Sequence, residues 1–302
     1  MNDTLVQVLK CLRYSEKHHR ILVIDSKKSG LMADFDEFFQ LHSSITRIHH
    51  RLDDELAAML QTASFFPPLQ SSDPLAYVSG FDNRYRNYSE SLSGQRLSFD
   101  FSRSYTQQLL IHEQCGGGAS VDLFRYLTLT APTRDFIVDK LSVLPASYSA
   151  IHVRNTDHQT DYQRFFSALK RKRLERDILV CSDDMAVIDF AQDFFRGHVV
   201  HTMGKPLVAS GQPLHRPWFY NSQSERQMAT CNAIADLLAL AGAKKLFFSK
   251  VNNGGILGNS RLAIMLNGKL SGFSRLARDL HRQQDLRARL LFGKPVKEQA
   301  DG

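Results

Sequence analysis

A chain of 302 residues with 43% hydrophobic and 23% charged side chains has an ordinary globular composition, with length for a large core and for two domains rather than one. Its formal charge of +7 suits nucleic acid, an anionic membrane surface or a phosphate-bearing small molecule. However, the only basic run, Lys170-Arg171-Lys172-Arg173, falls on a helix without an RNA-binding or helix-turn-helix signature, which disfavours nucleic acid. Four cysteines far apart, with no CxxC pair, argue against a zinc ribbon, and no apolar stretch reaches bilayer length, so the expectation is a reduced, cytoplasmic protein with peripheral membrane association left open.

Residues 3–18 read as a helix with Leu5, Val8, Leu9 and Leu12 on one stripe and basic residues at its end. Ile21 to Asp25 is a short buried strand. A doubly wound domain normally opens with a strand and a glycine turn, so the expectation is that the first strand is missing from this chain. Residues 26–75 are mixed, with an aromatic patch at Phe35, Phe38 and Phe39 and a turn at 65–68. Residues 80–100 are polar and read as a loop, either lining a cleft or forming a surface insertion. Cys115-Gly116-Gly117-Gly118 breaks the pattern without the spacing of a dinucleotide fingerprint. A helical pattern continues through Leu123, Tyr126 and Leu127, another helix spans 134–143, and a domain boundary is placed near 130, dividing the chain into 1–130 and 131–302.

The second half alternates more cleanly. Strands are expected at 148–154, 178–181, 198–201 and 246–249, and helices at 161–172, 185–195 and 225–242, with further helices near 259–266 and from 271. A long polar loop, 203–224, carries His215, Arg216 and the single tryptophan. Alternating strands and helices predict a parallel, doubly wound sheet.

Three of these strands end in polar groups: His152, Arg154 and Asp157; Ser182, Asp183 and Asp184; and Ser249 with Asn252 and Asn253. In a parallel sheet all three ends open on one edge, where such sheets bind ligands. A guanidinium donates two parallel hydrogen bonds to a phosphate, small hydroxyls at a helix start admit a phosphate to the backbone, and carboxylates can take protons from a ribose or a purine. The set fits a nucleoside diphosphate. Blander readings stand beside it: a salt-bridged turn from Arg154 to Asp157, a core histidine at 152, and helix caps at Asp183-Asp184, Ser260, Ser271 and Ser274. The adjacent pairs His18-His19 and His49-His50 point to different faces, which rejects a shared metal.

Ile151-His152-Val153-Arg154-Asn155-Thr156-Asp157 resembles the H-V-R-R-T-D motif of the α1,6-fucosyltransferases, which are related to the rhizobial nodulation and protein O-fucosyltransferases. Ile178 to Asp184 is similar to the family's strand ending in T-D-D, and Leu246 to Ser249 with a following Ser-Arg-Leu-Ala to its third motif. The resemblance covers the second half well and the first half thinly. It implies a GT-B architecture of two Rossmann-like domains with GDP-fucose in the cleft, inversion at the anomeric carbon, no metal and no cofactor. By the same resemblance, Arg154 holds the β-phosphate, Asp157 orients Arg154 or binds nucleotide, Asp183 and Asp184 lie at the ribose and guanine, and Asp161 matches the family's base after a one-residue gap. Ser249 and a serine cluster, at 260 or at 271–274, approach phosphate, and His215 and Arg216 face a saccharide acceptor. Two departures are visible: Asn155 replaces the second arginine, and residues 250–270 intervene before the later serines. Two alternatives remain: a catalytically inactive GDP-sugar-binding protein, and a metal-dependent GT-A enzyme using Asp183-Asp184, which lacks the usual DxD spacing. The oligomeric state is not legible.

Overall fold

The computed structural model describes residues 1–118, 120–156, 159–204, 220–249, 262–264 and 266–267. The chain opens with α1 (Asn2–His18), whose Leu5, Leu9 and Leu12 are buried and which ends on left-handed His19. β1 (Leu22–Val23) leads into a 3-10 turn at Phe35–Glu37, then β2 (Phe39–Leu41), β3 (Ile48–His49) and α2 (Asp54–Leu60). β4 (Phe65–Phe66), β5 (Ser79–Asp82), β6 (Asn87–Glu90) and β7 (Leu109–Leu110) follow. A second 3-10 turn, Val121–Arg125, precedes β8 (Leu127–Leu129) and α3 (Ala131–Ser142). The later half contains β9 (Ser149–Val153), α4 (Tyr162–Leu169), β10 (Asp177–Ser182), α5 (Met185–Phe194), β11 (Val199–His201), α6 (Gln223–Gly242) and β12 (Lys245–Phe248).

Three sequence expectations in the first half are corrected. The polar stretch 80–100 holds an antiparallel hairpin, β5 on β6, because Phe81 meets Tyr88 across the strands and Asp82 closes the turn onto the Arg84 N–H at 2.7 Å. Phe65–Phe66 is a strand parallel to β7 rather than a turn. The apparent helix through Leu123 and Leu127 is a 3-10 turn followed by a strand, since β8 finds an antiparallel partner in β2. That pairing draws Phe35, Phe38 and Phe39 into the core, all at most 2% exposed.

The later half is a four-stranded parallel sheet in the order β11-β10-β9-β12. The chain steps outward from β9 to β11, then crosses back over β9 to lay down β12. The topological switch therefore lies between β9 and β12, the place where such sheets bind ligands. Strand periodicity divides the core. Ile151, Val153, Ile178 and Val180 face Phe166 of α4 and Val187 and Ala191 of α5, while Ala150, Leu179 and Cys181 face Ile234, Ala235 and Leu238 of α6. The second of these clusters runs on into α1, the aromatic patch and α3, joining residues on both sides of position 130. Across it the Thr230 hydroxyl donates to the Leu31 carbonyl at 2.9 Å, and Gln227 bonds Glu37. Among the described residues no helix is long and apolar enough to cross a membrane.

Candidate functional site

The register of the parallel sheet sets the site. His152 lies opposite Cys181 on one side and Phe248 on the other, so the ends of β9, β10 and β12 open together, as the sequence pattern requires. At the crevice between β9 and β12 the Ser249 N–H donates to the His152 carbonyl at 3.0 Å. The Ser249 hydroxyl lies 3.4 Å from that of Thr160, which donates to the Arg154 carbonyl at 2.7 Å.

Between β9 and β10 the connection is an amide and hydroxyl clamp. The Asn155 N–H donates to Asp183 Oδ1 at 2.7 Å and the Thr156 hydroxyl to Asp183 Oδ2 at 2.6 Å. Asn155 Nδ2 donates to Asp184 Oδ2 at 2.9 Å, and Asn155 Oδ1 accepts the Thr160 N–H at 3.1 Å. Asp184 caps α5 through the Ala186 N–H, its own N–H donating to the Ser182 hydroxyl at 3.1 Å. The cap expected at Asp183-Asp184 thus belongs to Asp184, while Asp183 braces the β9 loop.

Arg154 sends Nε to within 3.7 Å of Asp183 Oδ2, so a described ion-pair partner of this arginine is Asp183. Asp157, the partner expected from the sequence, lies outside the described residues, as do His215, Arg216, Ser260, Ser271 and Ser274. Burial pushes the Met1 amine down to about 6, Asp3 opposing and Arg154 adding to the shift. His152 is not a cation here: burial, with Arg154 second, pushes its pKa down to about 4. Asp161 is exposed and caps α4, accepting the Arg164 N–H at 3.0 Å. Behind β10, burial lifts Asp236 of α6 to about 7 and lifts the Cys181 thiol well above its usual range. Among the described residues no group of three or more His, Cys, Asp or Glu side chains could hold a metal ion.

Solved structures with a similar fold exist. A NodZ α1,6-fucosyltransferase co-crystallised with GDP superposes with a TM-score of 0.58 at 16% identity, over 87% of each chain. The same enzyme soaked with GDP-fucose gives 0.58 at 18% identity over 87% of each chain, and selenomethionyl NodZ from Bradyrhizobium gives 0.56 at 17% over the same shares. The fold is GT-B-like. No protein-family model matches the sequence, and comparison with curated proteins finds no match. At these identities the likeness establishes an α/β fold in a two-domain arrangement related to that of glycosyltransferases.

Sequence reasoning singled out Arg154, Ser182, Asp183, Asp184 and Ser249, which the fold brings to one edge. It missed the clamp of Asn155, Thr156 and Thr160. Asn155 was legible only as a lost arginine, yet its amide is the group that ties the three segments together. The signal was an amide and two hydroxyls on a loop facing two carboxylates, a pattern that pairs donors with acceptors when buried.

Proposed function

We propose that this chain is an inverting, metal-independent glycosyltransferase that moves fucose from GDP-fucose to a saccharide acceptor. The observation that carries the reading is Arg154 just beyond the carboxyl end of β9, on the edge where the strand order switches between β9 and β12. Positive charge there compensates the diphosphate as the glycosidic bond breaks, which the transition state needs more than the ground state does. In this reading Arg154 takes the β-phosphate, and Ser249 and the serines at 260 or 271–274 approach phosphate. Ser182, Asp183 and Asp184 lie toward the ribose and guanine, and Asp157 orients Arg154 or binds the nucleotide. Neutral His152 contributes a hydrogen bond rather than charge. Asp161 is the proposed base, and His215 and Arg216 the acceptor contacts. The acceptor-side domain is 1–130 and the nucleotide-sugar domain 131–302.

A second reading, a GDP-sugar-binding protein without turnover, is favoured by the capping bond of Asp161 and by the use of Asn155 as a clamp. Incubation with GDP-fucose and a panel of saccharides separates them. Acceptor-dependent GDP release supports the transferase. GDP-fucose binding without release supports the second reading, and no binding of GDP-fucose refutes both.

A further inference from the structure

Two parallel strand pairs of the first half, β1 with β3 and β4 with β7, turn an edge toward each other. In β1 the Leu22 and Ile24 N–H groups donate to the Arg47 and His49 carbonyls on the β3 side, at 3.0 and 2.9 Å. Backbone groups alternate along a strand, so the N–H and carbonyl of Val23 point the other way. In residues 109–113 the Leu109, Ile111 and Glu113 N–H groups donate to the carbonyls of Ser64, Phe66 and Leu97, at 2.9, 2.8 and 3.0 Å. The backbone groups of Leu110 and His112 therefore also point away from those partners. Among the described residues no hydrogen bond reaches the backbone N–H or carbonyl of Val23, Leu110 or His112.

Between the two edges lies a cavity of about 140 Å³, with residues 22–25 on one side and 112–114 on the other. Thr4, Gln7, Val8 and Cys11, from one face of α1, lie across it. The edges run in the same direction. Ahead of β1, the Arg20 guanidinium donates to the carbonyls of Tyr105, Gln107 and Gln108, ahead of β7, at 3.2, 2.6 and 2.8 Å. Asp25 and Glu113 share the far end. Neighbouring strands stand about 4.8 Å apart, so edges facing each other across one strand stand roughly 9–10 Å apart. An extended arginine with its hydrogen bond can bridge that span. α1 ends at His18 and β1 starts at Leu22, so α1 runs back over the cavity. Its first turn, with Thr4, lies beside Asp25 at the carboxyl end of β1.

We infer that the groove between β1 and residues 109–114 is the seat of one further parallel β-strand, an extended and mainly apolar segment that leads into α1. An extended backbone satisfies two facing rows of donors and acceptors at once, which neither a helix nor a small ligand does. A strand parallel to β1 would leave the groove beside Thr4, where α1 begins. Strand, α1 and β1 then form the crossover unit that joins parallel strands. The order becomes β3, β1, added strand, β7, β4, one five-stranded sheet in place of two pairs. Val8, Cys11, Leu22 and Ile24 call for β-branched or small apolar side chains along the strand, and Thr4, Asp25 and Glu113 for a polar or glycine-containing exit. Backbone bonding alone supports this seat, independently of the glycosyltransferase reading.

Amide hydrogen exchange on two extended forms of the full chain tests the seat. One carries a Val-Thr-Val-Ile-Val-Gly-Gly extension ahead of Met1. The other carries the same extension with proline in place of its threonine and its isoleucine, since proline cannot donate to a ladder. In the parent chain the Val23, Leu110 and His112 amides should exchange fast. The first extension should slow all three on the order of tenfold or more and raise the melting temperature, and the proline extension should do neither. If the first extended chain aggregates, fluorescein-labelled Val-Thr-Val-Ile-Val titrated with the parent chain reads the same pairing by anisotropy, with the proline peptide as control. Parent-like exchange at either edge in a folded extended chain, an equal effect of the proline extension, or no preference of the parent for the first peptide overturns the proposal. So does exchange in the parent that slows at all three amides as protein concentration rises, which would assign the groove to a contact between copies. All of these readings are made without nucleotide sugar, so their failure and the failure of the transferase reading are separate results.

Discussion

Replacing Asn155 with alanine removes the amide that ties β9, β10 and the loop before α4. The backbone N–H of residue 155 still reaches Asp183, but Asp184 Oδ2 loses the Nδ2 donor and the Thr160 N–H loses its acceptor. Asp184 is 5% exposed and Thr160 9%, so water replaces neither bond easily. A buried polar group deprived of its partner costs about 1–3 kcal/mol, and a charged one lies at the upper end. Two such losses give roughly 2–6 kcal/mol. In a chain of this size each kcal/mol lowers the melting temperature by about 2–4 °C, so a fall on the order of 10 °C is expected. Because the Thr160 hydroxyl also holds the Arg154 carbonyl, GDP affinity should fall in the surviving folded protein. Scanning calorimetry and GDP titration on one preparation read both effects. Asn155→Arg should not restore stability, since a guanidinium cannot accept the Thr160 N–H. An unchanged melting temperature together with an unchanged GDP affinity in Asn155→Ala would refute the clamp.

Arg154→Lys keeps one charge but loses planar two-pronged donation, and turnover should fall on the order of 100- to 1,000-fold while the melting temperature moves little; near-normal turnover would remove Arg154 from the chemistry. Asp161→Asn should preserve the α4 cap and hence stability, because asparagine caps as well as aspartate, yet abolish transfer if the carboxylate is the base. The ratio of turnover to folded fraction decides this, and full turnover would reassign Asp161 to capping alone. Stability should depend on pH through groups of opposite sign. His152 and His112, each pushed down to about 4, bind fewer protons folded than unfolded, so they raise stability as pH climbs from about 4 to 6.5. Asp236, lifted to about 7, binds its proton longer when folded, so its contribution is lost as pH climbs from about 4 to 7. Asp236→Asn should leave only the rising limb in urea-unfolding profiles; an unchanged profile would contradict the burial of that carboxyl.

The repeating αβ pattern of the second half was legible because strands buried on both faces and amphipathic helices leave strong periodicities, and because three polar strand ends can share an edge only in a parallel sheet. The sequence could not reveal the order β11-β10-β9-β12, which depends on where the chain crosses back. The first half was harder to read. Its strands have two to four residues, too short for a period, and β2 with β8 or β4 with β7 is stabilised by partners more than 40 residues away. The roles at the site divided the same way. Arg154 stood out by its charge at a strand end, whereas Asn155 and Thr160 act through neighbours brought close only by folding.

The central claim is a guanosine diphosphate site at the β9/β12 crevice that depends on Arg154. Calorimetric titration with GDP and with UDP, on the parent chain and on Arg154→Ala, tests it directly. The account predicts tighter binding of GDP than UDP by the parent, since carboxylates accept from the guanine N1–H and N2–H groups, and a loss of affinity for both nucleotides in the variant. Equal or reversed preference in the parent, or undiminished GDP binding by a folded Arg154→Ala chain, would contradict it.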